Sequence, residues 1–475
     1  MKTRHDVVIV GAGVVGSAIA RDLAGYDLDI VWLEARNDVG DGTSKANTAI
    51  LHTGFDATPG TLEASLVHRG HELLEAYCGQ TGISLQRVSA MLVAWDDEQL
   101  ATLPTLCDKA GKNGYLATSL IGPDEVYAKV PDLGPGALGA LIVPDESIIC
   151  PWSVTLALAT DAVARGCQLR LDTTVTGLTI QEQETIVHTN RGGLTTRWVV
   201  NAAGLGGDTI EQMAGLDRFH LHPRRGELLV FDKLARAKVP VILLPVPSKL
   251  GKGVLISPTI YGNVMLGPTA EDMTDRTDTA TTQAGFDFLR EKAERLMPSL
   301  LDEEVTAAYA GLRAAHDRDD YVLDVDAERR YAVAGCIRST GLTSSMAVAE
   351  HLRGLLAGAG LELVAREDLP GPPQMPTLGE GSVRPYEDAA RIAADPAYGH
   401  LVCFCERVSE GEIRDAIASP IPPRDLGGLR RRTRAHNGRC QGFYCGAGLT
   451  ALLDRANPTA NDAGYTTTAT KGGVR

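Results

Sequence analysis

Asp6-Val-Val-Ile-Val10-Gly11-Ala-Gly13-Val-Val-Gly16-Ser-Ala-Ile19-Ala20-Arg-Asp-Leu23 is the stretch on which the fold turns. An apolar run meets a glycine turn, and Val15, Ile19 and Leu23 then recur at four-residue spacing, the period of one helix face. A second apolar run, Ile30 to Leu33, follows directly. This predicts a β-α-β unit, because parallel strands need a crossover helix packed on their sheet. Gly11 permits the tight turn, Gly13 removes a side chain where a pyrophosphate approaches backbone, and Gly16 with Ala20 lets the helix lie close to the sheet. The helix N-terminus offers unpaired N–H groups to the phosphates. Glu34, 18 residues after the third glycine, is placed to accept ribose hydroxyls. An adenine dinucleotide is therefore expected. NAD and FAD share the half that this motif reads.

Further along, β-α-β character returns at residues 168–205 and 331–356, whereas 83–129 and 224–298 alternate strands and helices of another kind. The fold class expected is α/β and α+β: a Rossmann-like dinucleotide domain (1–82, 144–222, 310–365) interleaved with a mixed-sheet substrate domain (83–143, 223–309). The Pro- and Gly-rich stretch 366–398 reads as a linker, 399–456 as a small helical domain, and 457–475 as a disordered tail. At 475 residues the chain is long enough for two to four domains.

A formal charge of −14 argues against nucleic acid and anionic lipid as partners, with at most peripheral membrane association. The run Val7 to Val10 stops far short of the ~18 residues a membrane span needs, so a cytoplasmic protein is expected. Five of the nine cysteines (Cys78, Cys107, Cys150, Cys167, Cys336) stand singly among apolar neighbours and read as buried, inert thiols. The other four crowd into the last tenth of the chain.

Three more segments bear on the cofactor: Gly42-Thr43-Ser44-Lys45-Ala-Asn47 through His52-Thr-Gly54, Val199-Val-Asn201-Ala-Ala-Gly204, and Gly335-Cys-Ile-Arg338-Ser339-Thr-Gly341-Leu342-Thr343. At these residues the sequence resembles the D-amino-acid-oxidase-like FAD superfamily, and within it the FAD-dependent glycerol-3-phosphate dehydrogenases and the 2-hydroxyglutarate oxidases. The resemblance covers residues 1 to about 365. It implies FAD, with Thr43 and Ser44 at the pyrophosphate and ribityl chain, Val175 at the adenine by backbone, Gly204 near the adenosine end, and Gly341, Leu342 and Thr343 presenting N–H groups to the flavin ring.

Oxidising an alcohol or amine through a flavin needs a base for the proton, and His52, in the loop the family places beside the flavin, is the candidate. A phosphate or carboxylate substrate also needs cationic partners, since burying its charge alone is prohibitive. Lys252, Arg313 and Arg338 are the candidates, with Ser339 adding a hydrogen bond. Lys252 and Arg313 lie in segments that resemble substrate-binding parts of glycerol-3-phosphate dehydrogenases and oxidases.

Cys403-Phe-Cys405 and Cys440-Gln-Gly-Phe-Tyr-Cys445 are two short claws separated by 34 residues, enough chain for two helices. Four thiolates suit zinc or an iron-sulfur cluster. The one-residue gap paired with a four-residue gap resembles the bacterioferritin-associated-ferredoxin-like [2Fe-2S] domain. Ser409 and Glu412 form a capping box, and the run Arg430-Arg-Arg-Thr-Arg434 reads as a solvated helix face, or as a counter-charge for a cluster.

Flavin and cluster together imply a dehydrogenase that takes two electrons as hydride and passes them out singly. The chain resembles the large subunit of anaerobic-type glycerol-3-phosphate dehydrogenases, which implies oxidation of sn-glycerol 3-phosphate to dihydroxyacetone phosphate and a second flavoprotein or electron-carrier subunit. A 2-hydroxy acid or amino or imino acid substrate, or a non-catalytic electron-transfer subunit, is the alternative.

Overall fold

The computed structural model describes residues 4–247, 253–379 and 383–456. The chain divides into two compact units, Met1–Ser382 and Val383–Arg475.

In the first unit the opening motif folds as read. Strands His5–Val10 and Ile30–Leu33 pair in parallel, and the helix Val14–Leu23 joins them. Gln168–Arg170 extends this parallel sheet beyond Ile30–Leu33, while Gly192–Asn201 and then Tyr331–Gly335 extend it on the other side. Antiparallel strands complete the eight-stranded sheet. The central strands are buried on both faces, which is why they read as continuous Val and Ile runs. Asn201 ends its strand by donating to the Gly207 carbonyl (2.8 Å) and to the Tyr331 hydroxyl (2.8 Å), and Tyr331 donates on to the buried Glu211 carboxylate (3.0 Å).

A nine-stranded mixed sheet forms the second layer system of this unit. His222–Phe231 and Val305–Ala315 are its longest antiparallel pair, and Ile242–Pro245 lies parallel to Ala90–Ala94. Met91, Phe231, Ile256, Leu266, Leu289 and Met297 fill its core. A small three-stranded sheet sets Ile50–Leu51 against Ser147–Ile149.

The stretch 366–379 does not behave as a free linker. Met375 N–H donates to the Thr81 carbonyl (2.8 Å), Gln374 donates to the Gln80 carbonyl (2.7 Å), and Leu378 is buried. Its end, from Gln374 to Leu378, is thus anchored on the first unit, while residues 366–368, 370 and 371 are exposed.

The second unit holds a two-stranded ribbon, Leu401–Cys403 and Val408–Ser409, and helices Glu410–Ile417, Leu426–Thr433 and Gly446–Ala456. The capping box is present: Ser409 N–H donates to Glu412 (2.8 Å) and Glu412 N–H to Ser409 (3.4 Å). The basic run departs from the solvated reading. Arg431, Arg432 and Arg434 are buried, with Arg432 donating to the carbonyls of Ile421 (2.8 Å) and Gly428 (3.0 Å). Of the five scattered cysteines four are buried and Cys107 is half-buried. Burial pushes the Cys78, Cys167 and Cys336 thiols up to about 12, which keeps them unreactive. Among the described residues no helix is long and apolar enough to cross a membrane.

Candidate functional site

The glycine turn forms a cradle that side chains would fill. Gly11 has φ +101°, and a Cβ there would stand 2.5 Å from the Ala202 carbonyl oxygen; one on Gly16 would stand 2.0 Å from the Gly11 oxygen. Ser44 closes the turn from the neighbouring loop, its hydroxyl accepting from Val14 N–H (3.0 Å). The Glu34 carboxylate accepts from Ala12 N–H (2.8 Å) and Arg36 N–H (2.9 Å), and burial holds it above the usual carboxylate range. Thr173 N–H donates to the Glu34 carbonyl (2.8 Å), which brings the start of the Val175–Ile180 strand beside that acid. Gly204, at φ +56°, has open space where a Cβ would stand. A turn that only glycines can make, the start of the helix Val14–Leu23 behind it and an acid at the strand end fit an adenine dinucleotide.

The helix Gly341–Gly358 packs against the helices Val14–Leu23 and Leu62–Thr81. Ser344 N–H is bonded to the Thr340 carbonyl, so the N–H groups of Gly341, Leu342 and Thr343 precede the helix's own bonding pattern. Such a terminus suits the electron-rich edge of a reduced flavin. Thr343 also ties the helix to His52, whose N–H donates to the Thr343 hydroxyl (3.0 Å).

His52 has a partner the sequence reading missed. Leu51 pairs with Ser147 in the three-stranded sheet, so the next positions outward, His52 and Glu146, face one another. The imidazole Nδ1 lies 3.0 Å from a Glu146 carboxylate oxygen, and Glu146 has no exposed surface. The other oxygen accepts from Thr53 N–H (2.7 Å) and the Thr53 hydroxyl (3.0 Å). The one sequence signal was an acid held between the apolar runs of residues 139–143 and 147–149.

Val305–Ala315 crosses the 43–54 loop. Thr43 donates to the Leu312 carbonyl (2.8 Å), Tyr309 donates to the Asn47 carbonyl (3.1 Å), and a Cβ on Gly311 would stand 2.6 Å from the Ala46 oxygen. Alternate residues of a strand share a face, so Arg313 lies on the side of Tyr309 and Gly311. Arg224, opposite Arg313 on the adjoining strand, is bonded to Asp272. For Arg313 no carboxylate stands within ion-pair distance among the described residues. Burial, with the Arg224 charge behind it, pulls its guanidinium below the usual arginine range. A half-buried cation without an acidic partner on this face is suited to an anionic ligand.

Arg338 and Ser339 are exposed in the loop before the helix Gly341–Gly358. Burial and the Arg338 charge hold the nearby His316 imidazole below its ordinary range, which puts Arg338 close to the end of the Arg313 strand. Lys252 lies outside the described residues.

The four terminal cysteines meet in two pairs, Cys405 with Cys440 and Cys403 with Cys445. Cys405 also lies close enough to feel Cys403, and Cys445 to feel Cys440, so all four thiols gather in one place, which suits an iron-sulfur cluster or a zinc ion. N–H groups of Tyr444, Gly442 and Phe443 donate to the Cys440 sulfur and lower its pKa, led by Tyr444. Burial raises Cys405 and takes Cys445 up to about 11. The Asn437 amide nitrogen is buried with no partner, a donor available to anionic sulfur. Arg434 and Glu406, paired at 2.9 Å and almost wholly buried, tie the chain following the first claw to the chain leading into the second.

Comparison with known proteins agrees with both halves. Residues 6–355 match the family described as FAD dependent oxidoreductase, and residues 401–455 match the BFD-like [2Fe-2S] binding domain. A glycerol 3-phosphate dehydrogenase of Caloramator mitchellensis is 36% identical over 453 residues, covering 95% of this chain and 94% of that protein. One subunit of the anaerobic glycerol-3-phosphate dehydrogenase of Escherichia coli (strain K12) is 28% identical over 97% of this chain and 91% of its own. The structure of dithionite-reduced L-alpha-glycerophosphate oxidase from Mycoplasma pneumoniae with FAD bound superposes with a TM-score of 0.74 at 26% identity, covering 78% of this chain and 99% of that one. The chain therefore belongs to the FAD-dependent oxidoreductase family and carries, at residues 401–455, a BFD-like [2Fe-2S] binding domain.

Proposed function

We propose that this enzyme oxidises sn-glycerol 3-phosphate to dihydroxyacetone phosphate and delivers the electrons, through its [2Fe-2S] domain, to a separate one-electron acceptor protein. The observation that carries the reading is Arg313: a half-buried cation without an acidic partner among the described residues, on the strand that crosses the loop leading to His52. Arg313 holds the substrate phosphate, with Arg338 and Lys252 as further cationic partners and Ser339 as a hydrogen-bond donor. His52 Nε2 takes the C2 hydroxyl proton as the C2 hydrogen departs with its electron pair. When bound, FAD supplies the hydride acceptor and the cluster a one-electron relay. Gly11, Gly13, Gly16, Glu34, Thr43, Ser44, Val175, Gly204, Gly341, Leu342 and Thr343 hold FAD, and Cys403, Cys405, Cys440 and Cys445 hold the cluster. The dehydrogenase and oxidase relatives named for glycerol 3-phosphate support the substrate, and the Escherichia coli relative, itself one subunit of an anaerobic enzyme, supports a partner.

Anaerobic mixing of the purified holoenzyme with polyol phosphates, 2-hydroxy acids and secondary amines tests this. Glycerol 3-phosphate bleaches the flavin fastest if the reading holds. Faster bleaching by a hydroxy acid would assign Arg313 to a carboxylate, and no bleaching by any of them would make the chain a non-catalytic carrier.

A further inference from the structure

Glu146 is separated from His52 by 94 positions in sequence and stands just before the strand Ser147–Ile149, yet the antiparallel register sets the two opposite one another. Resting on the reading of His52 as the base, we infer that Glu146 is the positioning residue that makes His52 a base at Nε2. A carboxylate oxygen accepts and does not donate, so the 3.0 Å contact requires the proton on Nδ1 and leaves the Nε2 lone pair free.

The surroundings fix this arrangement at every other point. Thr53 donates twice to the second Glu146 oxygen, so the carboxylate cannot rotate without breaking two buried bonds. The His52 N–H is held by the Thr343 hydroxyl (3.0 Å), and its carbonyl lies 3.1 Å from the His71 imidazole Nδ1. Backbone, ring tautomer and ring plane are therefore set by the helix Gly341–Gly358, the helix Leu62–Thr81 and the Glu146 turn, three elements distant in sequence. The buried carboxylate also faces the imidazolium that forms as the substrate proton arrives, and stabilises it without itself taking the proton.

The substitution that keeps shape and removes function is Glu146→Gln. An amide NH₂ turned toward Nδ1 donates there, forces Nδ1 to accept, and moves the imidazole proton to Nε2, where it blocks proton abstraction. In anaerobic stopped-flow mixing of the FAD-loaded holoenzyme with glycerol 3-phosphate, E146Q is expected to reduce its flavin roughly 10²-fold or more slowly. The substrate concentration at half-maximal rate stays within about twofold of wild type, because Glu146 touches no substrate. A defect confined to packing would not separate rate from binding in this way. Should E146Q lose FAD, Glu146→Asp makes the same comparison, since its retracted carboxylate keeps the charge but loses the contact with Nδ1. Reduction by these FAD-loaded variants at the wild-type rate overturns the inference. His52→Asn run in parallel keeps the two claims apart: a wild-type rate in H52N removes the base assignment itself, whereas a slow H52N beside a fast E146Q removes only the role of Glu146.

Discussion

Arg313 lays its guanidinium across Gly226, so that a Cβ on Gly226 would stand 3.0 Å from an Arg313 terminal nitrogen and 3.0 Å from Pro268. The glycine leaves the space the cation occupies. Arg313→Ala is expected to raise the apparent substrate constant by about 10²-fold, in line with losing one partner of a buried charge pair, while FAD content stays at the wild-type level. Gly226→Val, which leaves the charge in place but displaces it, gives the same direction of change. Steady-state kinetics beside flavin absorbance checks both; an unchanged substrate constant in R313A takes Arg313 out of the site.

Gly11→Ala tests the cradle. Its φ of +101° and the 2.5 Å approach to the Ala202 oxygen leave no room for a methyl group without moving backbone. The variant should purify with little FAD, read as the ratio of flavin to protein absorbance. Full flavin occupancy would show that the turn yields more easily than its geometry implies.

The thiol pairs predict a separable cluster. Cys440→Ser should lose iron and acid-labile sulfide together while retaining FAD and its reduction by substrate. Transfer onward to a one-electron acceptor should fall away. Zinc in the wild-type protein, with no labile sulfide, would contradict the assignment of the four thiolates to a [2Fe-2S] cluster.

Removing one member of the buried Arg434 and Glu406 pair breaks a 2.9 Å ion pair held out of water. Arg434→Met is therefore expected to cost about 3–5 kcal/mol, seen in thermal melting and in loss of cluster absorbance. Restoring neutrality in the double variant R434M/E406Q recovers much of it. If R434M melts like wild type, the pair does not hold the claws together.

The nucleotide half of the site was legible because glycines there answer to local sterics: the Gly11 turn and the Gly16 approach are needed wherever this unit occurs. The capping box at Ser409 and the cysteine spacings were legible for the same reason, being short-range. Glu146 was not, since only the pairing of residues 50–51 with 147–148 sets it opposite His52. Gly226 likewise acquires meaning only when a strand from residues 305–315 lies beside it. The arginine run misled because its spacing resembles a charged surface, whereas carbonyl and carboxylate partners contributed by residues 406, 421 and 428 let members of it be buried.

The most direct measurement is a rapid anaerobic mixing of the holoenzyme with sn-glycerol 3-phosphate, following flavin absorbance and freeze-quenched paramagnetic resonance of the cluster together. Fast flavin bleaching is expected first, followed by a reduced-cluster signal that C440S lacks, with dihydroxyacetone phosphate formed in step. A cluster that stays oxidised while the flavin is fully bleached by substrate would contradict the proposed electron path.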